Sequence, residues 1–271
     1  MTVLTGVVGF PVEHSKSPLI HGYWLKKYGI NGTYVPLKIA PENLTTVLKA
    51  LPLAGFKGVN VTVPHKVAVL SVIDELSEEA RKAGAVNTVF FKDDGTVYGH
   101  NTDGYGFMEN VRSVQNVDWK NACVAVLGTG GAARGICAAL TTAGCAEIRL
   151  VYRTLEKAEM LKKAVGGNVV LIPWKDRNDC LDGMSVLSNA TTLGMNGFEK
   201  LDVSLEKLPS DAVVTDAVYA PLETDLLKRA KQSGFKTADG LGMLLHQARP
   251  AFQTWFGVLP DVTDDLRRAV L

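Results

Sequence analysis

Five apolar residues, Cys123-Val-Ala-Val-Leu127, run directly into Gly128-Thr-Gly-Gly-Ala-Ala-Arg-Gly135, and no other stretch limits the fold as tightly. The apolar run reads as a buried strand, the glycines as a tight turn, and Ala132 to Leu140 as the start of a helix. Gly128-x-Gly130-x-x-Ala133 between a strand and a helix is a dinucleotide fingerprint. Residues without a Cβ let a pyrophosphate approach the backbone, and the helix N-terminus presents free N–H groups to an anion. The pattern alone is weak; the next strand sharpens it. Glu147-Ile-Arg-Leu-Val-Tyr152 ends in Arg153-Thr154. An enzyme using NAD carries Asp or Glu there, about 20 residues past the glycines, to bond the ribose hydroxyl. A guanidinium at that place, with Lys157 one helical turn on, grips a 2′-phosphate that a carboxylate would repel. The pattern predicts NADP(H); the plainer alternative is a solvated arginine at a strand end.

Around this unit the chain alternates strands and helices. Strands are expected at Val3–Val8, Thr33–Leu37 and Gly58–Val63, with helices at Pro18–Tyr28 and Pro41–Leu51 and shorter ones at Val67–Ile73 and Ser77–Ala83. Asn87–Lys92 and Thr96–Tyr98 flank Asp93-Asp94-Gly95, a hairpin signal. Six further strands follow from residue 122, then helices at Met243–Trp255 and Asp264–Ala269. Alternation of this kind implies a mainly parallel sheet covered by helices. The expected architecture is α/β with two domains. Residues 1–103 form an α/β substrate domain, 104–239 a Rossmann-type, doubly wound nucleotide domain, and 240–271 are helices returning to the first. The cleft between the domains is the expected site.

Bulk properties remove other classes. At 271 residues and 46% apolar content the chain can bury a sizeable core, and a net charge of +1 gives no electrostatic case for nucleic acid or a membrane surface. No apolar run reaches the ~20 residues of a membrane span, and the first residues lack a signal peptide's charged and apolar regions. Cys123, Cys137, Cys145 and Cys180 show neither CxxC pairing nor metal spacing with histidine. A cytoplasmic, reduced, metal-free protein is expected, as a monomer or a homodimer.

Four loops after apolar runs are unusually polar. They hold His14-Ser15-Lys16-Ser17, Asn60-Val-Thr62-Val-Pro-His65-Lys66, Asn87-Thr88, and His100-Asn101-Thr-Asp103. Ligands of α/β sheets sit outside the carboxyl ends of strands. Hydroxyls, amides, one ammonium and one carboxylate there suit a small polyhydroxylated acid. Each residue also has a local explanation. Ser15 or Ser17 can cap the helix from Pro18, Lys66 can be a surface lysine, and Asp103 can be the N-cap of a helix from Tyr105. His14, His65 and His100 read as loop scaffolding, and Tyr219 as a core aromatic.

Together the motifs are specific. Gly9-x-Pro11-x-x-His-Ser-Lys-Ser-Pro18, Asn-Val-Thr-Val-Pro-His-Lys66, Gly-Ala-Val-Asn-Thr88, Asn-Thr-Asp-Gly104, Gly-x-Gly-Gly-Ala-x-Arg134, Asn-Ala-Thr191 and Asp-Gly-x-Gly-Met-Leu-x-x-Gln247 occur in order along nearly the whole chain. The set resembles the shikimate dehydrogenases. The resemblance implies NADPH reduction of the 3-keto group of 3-dehydroshikimate. It implies that Ser15 and Ser17, helped by Tyr219, bind the ring carboxylate, and that Asn60, Thr62, Asn87 and Gln247 line the hydroxyl side with Lys66 and Asp103. It places Gly128, Thr129, Gly130, Gly131 and Ala132 at the pyrophosphate, Arg153, Thr154 and Lys157 at the adenosine phosphate, and the backbone near Ala217 and Gly240 at the nicotinamide. Two residues depart from the family pattern: Tyr152 replaces an asparagine common before the Arg-Thr pair, and Ala217 is smaller than usual. In the expected chemistry Lys66 and Asp103 supply the proton and hold the developing alkoxide, without a metal. Three alternatives stay open: dual quinate/shikimate use with NAD, a ligand-sensing homologue without turnover, and another two-domain NADP enzyme of the methylene-tetrahydrofolate dehydrogenase kind.

Overall fold

The computed structural model describes residues 2–271. The chain forms two compact units: one runs to Thr102 and takes in Gln247–Leu271, and the other spans Asp103–His246.

The first unit begins β1 (Val3–Gly9), α1 (Ser17–Lys27), β2 (Gly32–Lys38), α2 (Leu44–Ala50) and β3 (Phe56–Val61). It continues through α3 (His65–Ala68), β4 (Glu75–Leu76), α4 (Glu78–Ala83), β5 (Thr88–Phe91) and β6 (Val97–His100). Its sheet runs β2-β1-β3-β5-β6-β4. β1 pairs in parallel with both β2 and β3, while β5 is antiparallel to β3 and β6. The run Val-Leu-Thr-Gly-Val-Val-Gly of β1 is buried over its last five residues, as a central strand covered on both faces requires. Val8, Leu44, Leu48, Val59, Val61 and Val89 are among the core residues on this sheet. The Asp93-Asp94-Gly95 signal makes the β5–β6 hairpin. Gly95 takes φ +90°, and Asp94 accepts the Thr96 N–H at 2.9 Å. The two-residue β4 has no periodicity to reveal it; it exists through its pairing with β6.

The second unit carries α5 (Asp103–Val114), β7 (Cys123–Leu127), α6 (Gly131–Thr142), β8 (Glu147–Tyr152), α7 (Leu155–Val165) and β9 (Val169–Pro173). It goes on with β10 (Val186–Asn189), β11 (Val213–Asp216), α8 (Asp225–Gln232), β12 (Lys236–Ala238) and the start of α9 (Gly240–Phe256). The strand order is β12-β11-β10-β7-β8-β9, and every pair is parallel. The order reverses at β7, so the carboxyl ends of β7 and β10 form the topological switch point where such sheets bind ligands. α6 buries Ala133, Ile136, Cys137 and Leu140, one face at helical spacing. Asp103 is the first residue of α5 rather than an N-cap two residues ahead of it, and it is buried. Gly104 lets this helix approach α6 closely: a Cβ at 104 would lie 2.5 Å from that of Ala139 and 2.6 Å from the Gly135 carbonyl oxygen.

The chain ends in the first unit with α10 (Asp264–Val270), capped by Thr263 through the Leu266 N–H and packed against α1. Lys16 Nζ donates to the Val270 carbonyl, and Trp24 Nε1 to that of Asp261. No helix among the described residues is long and apolar enough to cross a membrane.

Candidate functional site

In the first unit the polar loops are tied together at the carboxyl ends of β1 and β3. Phe10 N–H donates to the Val63 carbonyl, Thr62 N–H to that of Val8, and Val86 N–H to that of Lys66. Lys66 is half-buried in α3, a single turn held by that bond. His65 is fully buried with Nε2 2.7 Å from the Ile39 carbonyl, so it fixes the loop from inside.

Behind these loops lies a continuous buried network. Tyr34 Oη donates to Asn60 Oδ1 at 2.7 Å and is hydrogen-bonded by the Ser17 side chain. Asn60 Nδ2 donates to the Asn87 carbonyl at 3.1 Å and to Thr88 Oγ1 at 3.0 Å. Asn87 accepts at Oδ1 from Thr88 Oγ1 and the Thr102 N–H, both at 2.9 Å, and its Nδ2 reaches Thr102 Oγ1 at 2.9 Å and Gln247 Oε1 at 3.2 Å. Residues from β2, β3, β5 and the segment after β6 therefore meet residues of two helices, α1 and α9, through amide and hydroxyl groups, and the shared bonds orient the amides. Ser17 lies inside α1 and is buried; it does not cap the helix. Ser15 Oγ accepts the Ser17 N–H at 3.3 Å. Burial drives the Tyr34 hydroxyl well above its ordinary range, against the Ser17 hydrogen bond, so it stays a donor. His21 stacks on Tyr34 with centroids 4.1 Å apart and planes 3° apart, and burial lowers it to about 3. It is a neutral ring that holds Tyr34 by its face.

The second unit presents backbone instead. Gly128 sits at φ +105°, where an L side chain is strained, and a Cβ there would lie 2.8 Å from the Thr191 methyl group. Thr129 follows, and Gly130 is the N-cap residue of α6 in extended conformation with no side-chain cap. A Cβ at 130 would meet nothing within 4 Å. Gly131 and Ala132 open the helix, and its first turn carries no acidic residue. An uncapped helix start with open space above it fits an anionic bridge. Beyond β8, Arg153, Thr154 and Lys157 are exposed, Thr154 being the N-cap residue of α7. No carboxylate among the described residues pairs with Arg153, whose guanidinium lies 4.6 Å from the Trp174 ring centroid.

At the ends of β10 and β11 a second buried knot forms. Asp216 Oδ1 accepts from Asn189 Nδ2 and from the Val218 N–H at 2.9 Å each, and Oδ2 accepts from Thr224 Oγ1 at 2.7 Å. Burial pushes the Asp216 carboxyl up to about 6 despite those three bonds. Asn189 also binds the Thr191 N–H and hydroxyl, setting the loop against Gly128. Ala217 is half-buried, and Gly240 packs directly on it: a Cβ at 240 would lie 2.7 Å from the Ala217 carbonyl oxygen. Tyr219 is half-buried, and burial raises its phenol above the ordinary value.

Three family models match in order. Residues 7–89 match the shikimate dehydrogenase substrate binding domain, 110–209 the shikimate/quinate 5-dehydrogenase model, and 240–271 the shikimate 5′-dehydrogenase C-terminal domain. A curated relative from Paramagnetospirillum magneticum, named shikimate dehydrogenase (NADP(+)), is 52% identical over 99% of this chain and 98% of its own. The chain belongs to the shikimate dehydrogenase family. A solved shikimate dehydrogenase in complex with NADP+ superposes with a TM-score of 0.90 at 37% identity, covering 99% of this chain and 94% of that one. The Listeria monocytogenes shikimate 5-dehydrogenase, in complex with shikimate and NAD, superposes with a TM-score of 0.91 at 30% identity, covering 100% of this chain and 96% of that one.

Within this chain, one unit brings Ser17, Asn60, Asn87 and Gln247 onto a shared network, with Ser15 at its edge. Sequence reasoning missed Tyr34 and Thr102, which join these residues, and Asn189, Asp216 and Trp174 in the other unit. Asn189 was visible as part of Asn-Ala-Thr191. Tyr34 and Trp174 gave no local signal, because their roles come from strands and turns that pair at a distance.

Proposed function

We propose that this chain catalyses the reversible NADPH-dependent reduction of 3-dehydroshikimate to shikimate, a step of chorismate and aromatic amino acid biosynthesis, in the cytoplasm. The observation that carries the reading is the likeness, over 99% of the chain, to a relative named for that activity. Ser15 and Ser17 take the substrate carboxylate together with Tyr219, and Asn60, Thr62, Asn87 and Gln247 take the ring hydroxyls. The buried network supports this assignment: it presets the amides before a ligand arrives, which spares orientational cost on binding.

Gly128, Thr129, Gly130, Gly131 and Ala132 hold the cofactor pyrophosphate. Arg153, Thr154 and Lys157 hold the 2′-phosphate, and Ala217 and Gly240 border the nicotinamide. When bound, the reduced nicotinamide supplies a hydride to the C3 carbonyl carbon. Lys66 stabilises the negative charge that grows on the carbonyl oxygen and gives that oxygen a proton from Nζ. Asp103 accepts a charge-assisted hydrogen bond from the resulting hydroxyl and orients it. In the reverse direction Lys66 takes the same proton back.

Initial rates with shikimate and quinate, each with NADP and NAD, test the reading. Shikimate with NADP should give the highest kcat/KM, and Arg153→Asp should reverse or abolish the NADP preference. Equal efficiency with NAD, or better turnover of quinate, would move the protein to dual quinate/shikimate use. No turnover with any pair would point to a ligand-sensing homologue.

A further inference from the structure

We infer that Trp174 is a specificity-determining residue for the cofactor, the platform that presets Arg153 for a 2′-phosphate. This rests on the NADP reading proposed above. Tyr152 pairs with Pro173 in the β8–β9 register, so the next residues of the two strands, Arg153 and Trp174, leave the sheet edge side by side. The Arg153 guanidinium then lies 4.6 Å from the centre of the indole. Stacking occupies the flat face of a guanidinium and leaves its N–H edge to fork onto phosphate oxygens. A long exposed side chain must otherwise be frozen by the ligand; the ring restrains it beforehand.

Trp174 is itself held. The Arg177 guanidinium lies 5.4 Å from the same ring, and its Nη1 donates to the Trp174 carbonyl at 3.1 Å. Arg177 is fixed in turn by Asp202, through the carbonyl at 2.5 Å and the carboxylate at 2.9 Å. Its side chain is only 16% exposed. The contacts run from Asp202 through Arg177 and Trp174 to Arg153, which is exposed and has no ion-pair partner among the described residues. Trp174 and Arg177 are positioning residues: they act on the 2′-phosphate through Arg153.

The test compares adenosine 2′,5′-bisphosphate with ADP by calorimetry, alongside KM for NADP and NAD at saturating shikimate. Trp174→Leu keeps apolar bulk and removes the π face. It should weaken the bisphosphate about two- to fivefold, the range of an exposed cation–π contact, and raise KM for NADP equally. ADP binding, KM for NAD and KM for shikimate should stay unchanged. Trp174→Phe should recover most of the loss. Equal weakening of both nucleotides, or none, would overturn the inference. If Trp174→Leu does not fold, Arg177→Gln decides by the same comparison: a loss confined to the bisphosphate supports the platform, and an unchanged ratio overturns it. An unmodified protein that binds the bisphosphate no better than ADP would refute the NADP reading itself. An unmodified protein that prefers it, with the preference intact in Trp174→Leu, would refute only the platform.

Discussion

Asn60, Asn87 and Gln247 in the first unit are 6%, 2% and 9% exposed and hydrogen-bonded into one web, whereas Arg153 and Lys157 in the second stand in solvent beside a bare glycine turn. The first arrangement uses side chains whose orientation depends on one another. The second uses backbone N–H groups and a helix start, which any chain with that local geometry presents, plus a salt-screened charge. Coupled buried groups should respond to substitution steeply and non-additively. Backbone cradles and exposed charges should respond in separable steps.

The steepest response should come from Lys66→Ala, with kcat falling at least ~100-fold while KM moves much less. Steady-state kinetics on a folded variant checks this, and near-normal turnover would remove Lys66 from the chemistry. Asp103→Asn should also be severe. If both serve one proton, the double variant should lose far less than the product of the single losses. Fully multiplicative losses would separate them.

Asn87→Ala should cost up to about 3 kcal/mol of stability, because it strands buried partners at Thr88, Thr102 and Gln247. Urea unfolding measures it, and combining it with Asn60→Ala should give a markedly sub-additive loss. Simple additivity would mean the web is a set of independent pairs.

Asp216 offers a counter-case, a buried carboxylate inside the backbone-dominated unit. Its folded value is pushed up to about 6 from an ordinary 3.8. Between those values the folded state keeps a proton that the unfolded state has released. Stability from this group is therefore fully present below the lower value and is lost as pH rises through the upper one. Going from about pH 4.5 to about pH 7 should cost the unmodified protein about 2 kcal/mol that Asp216→Asn does not lose. Parallel pH profiles of the two proteins would sink this account.

The mildest effects should come from the serines. Ser15→Ala and Ser17→Ala should each weaken shikimate binding by about 0.5–3 kcal/mol, the range that includes bonds to a charged partner, and leave NADP binding unchanged. Ser17→Ala should also lower the melting temperature, since Ser17 hydrogen-bonds Tyr34. A falling melting temperature with constant KM for shikimate would make the serines purely structural.

The strand–glycine–helix run, the arginine after β8, the Asp-Asp-Gly hairpin and the order of the motifs were all legible in the residues. Their physics is local: a turn needs a glycine within a few positions, a helix start exposes its own N–H groups, and a strand end lies next to its own loop. Tertiary structure alone decided that Tyr34 joins Ser17 to Asn60, that Thr102 locks Asn87, that two residues at β4 pair with β6, and that Trp174 stands beside Arg153. Each depends on register between segments distant in the chain. Spacing along one segment carries no information about which side chain a neighbouring strand will bring alongside it. Sequence could name the groups that touch a ligand; only the folded sheet could name the buried groups that hold them still.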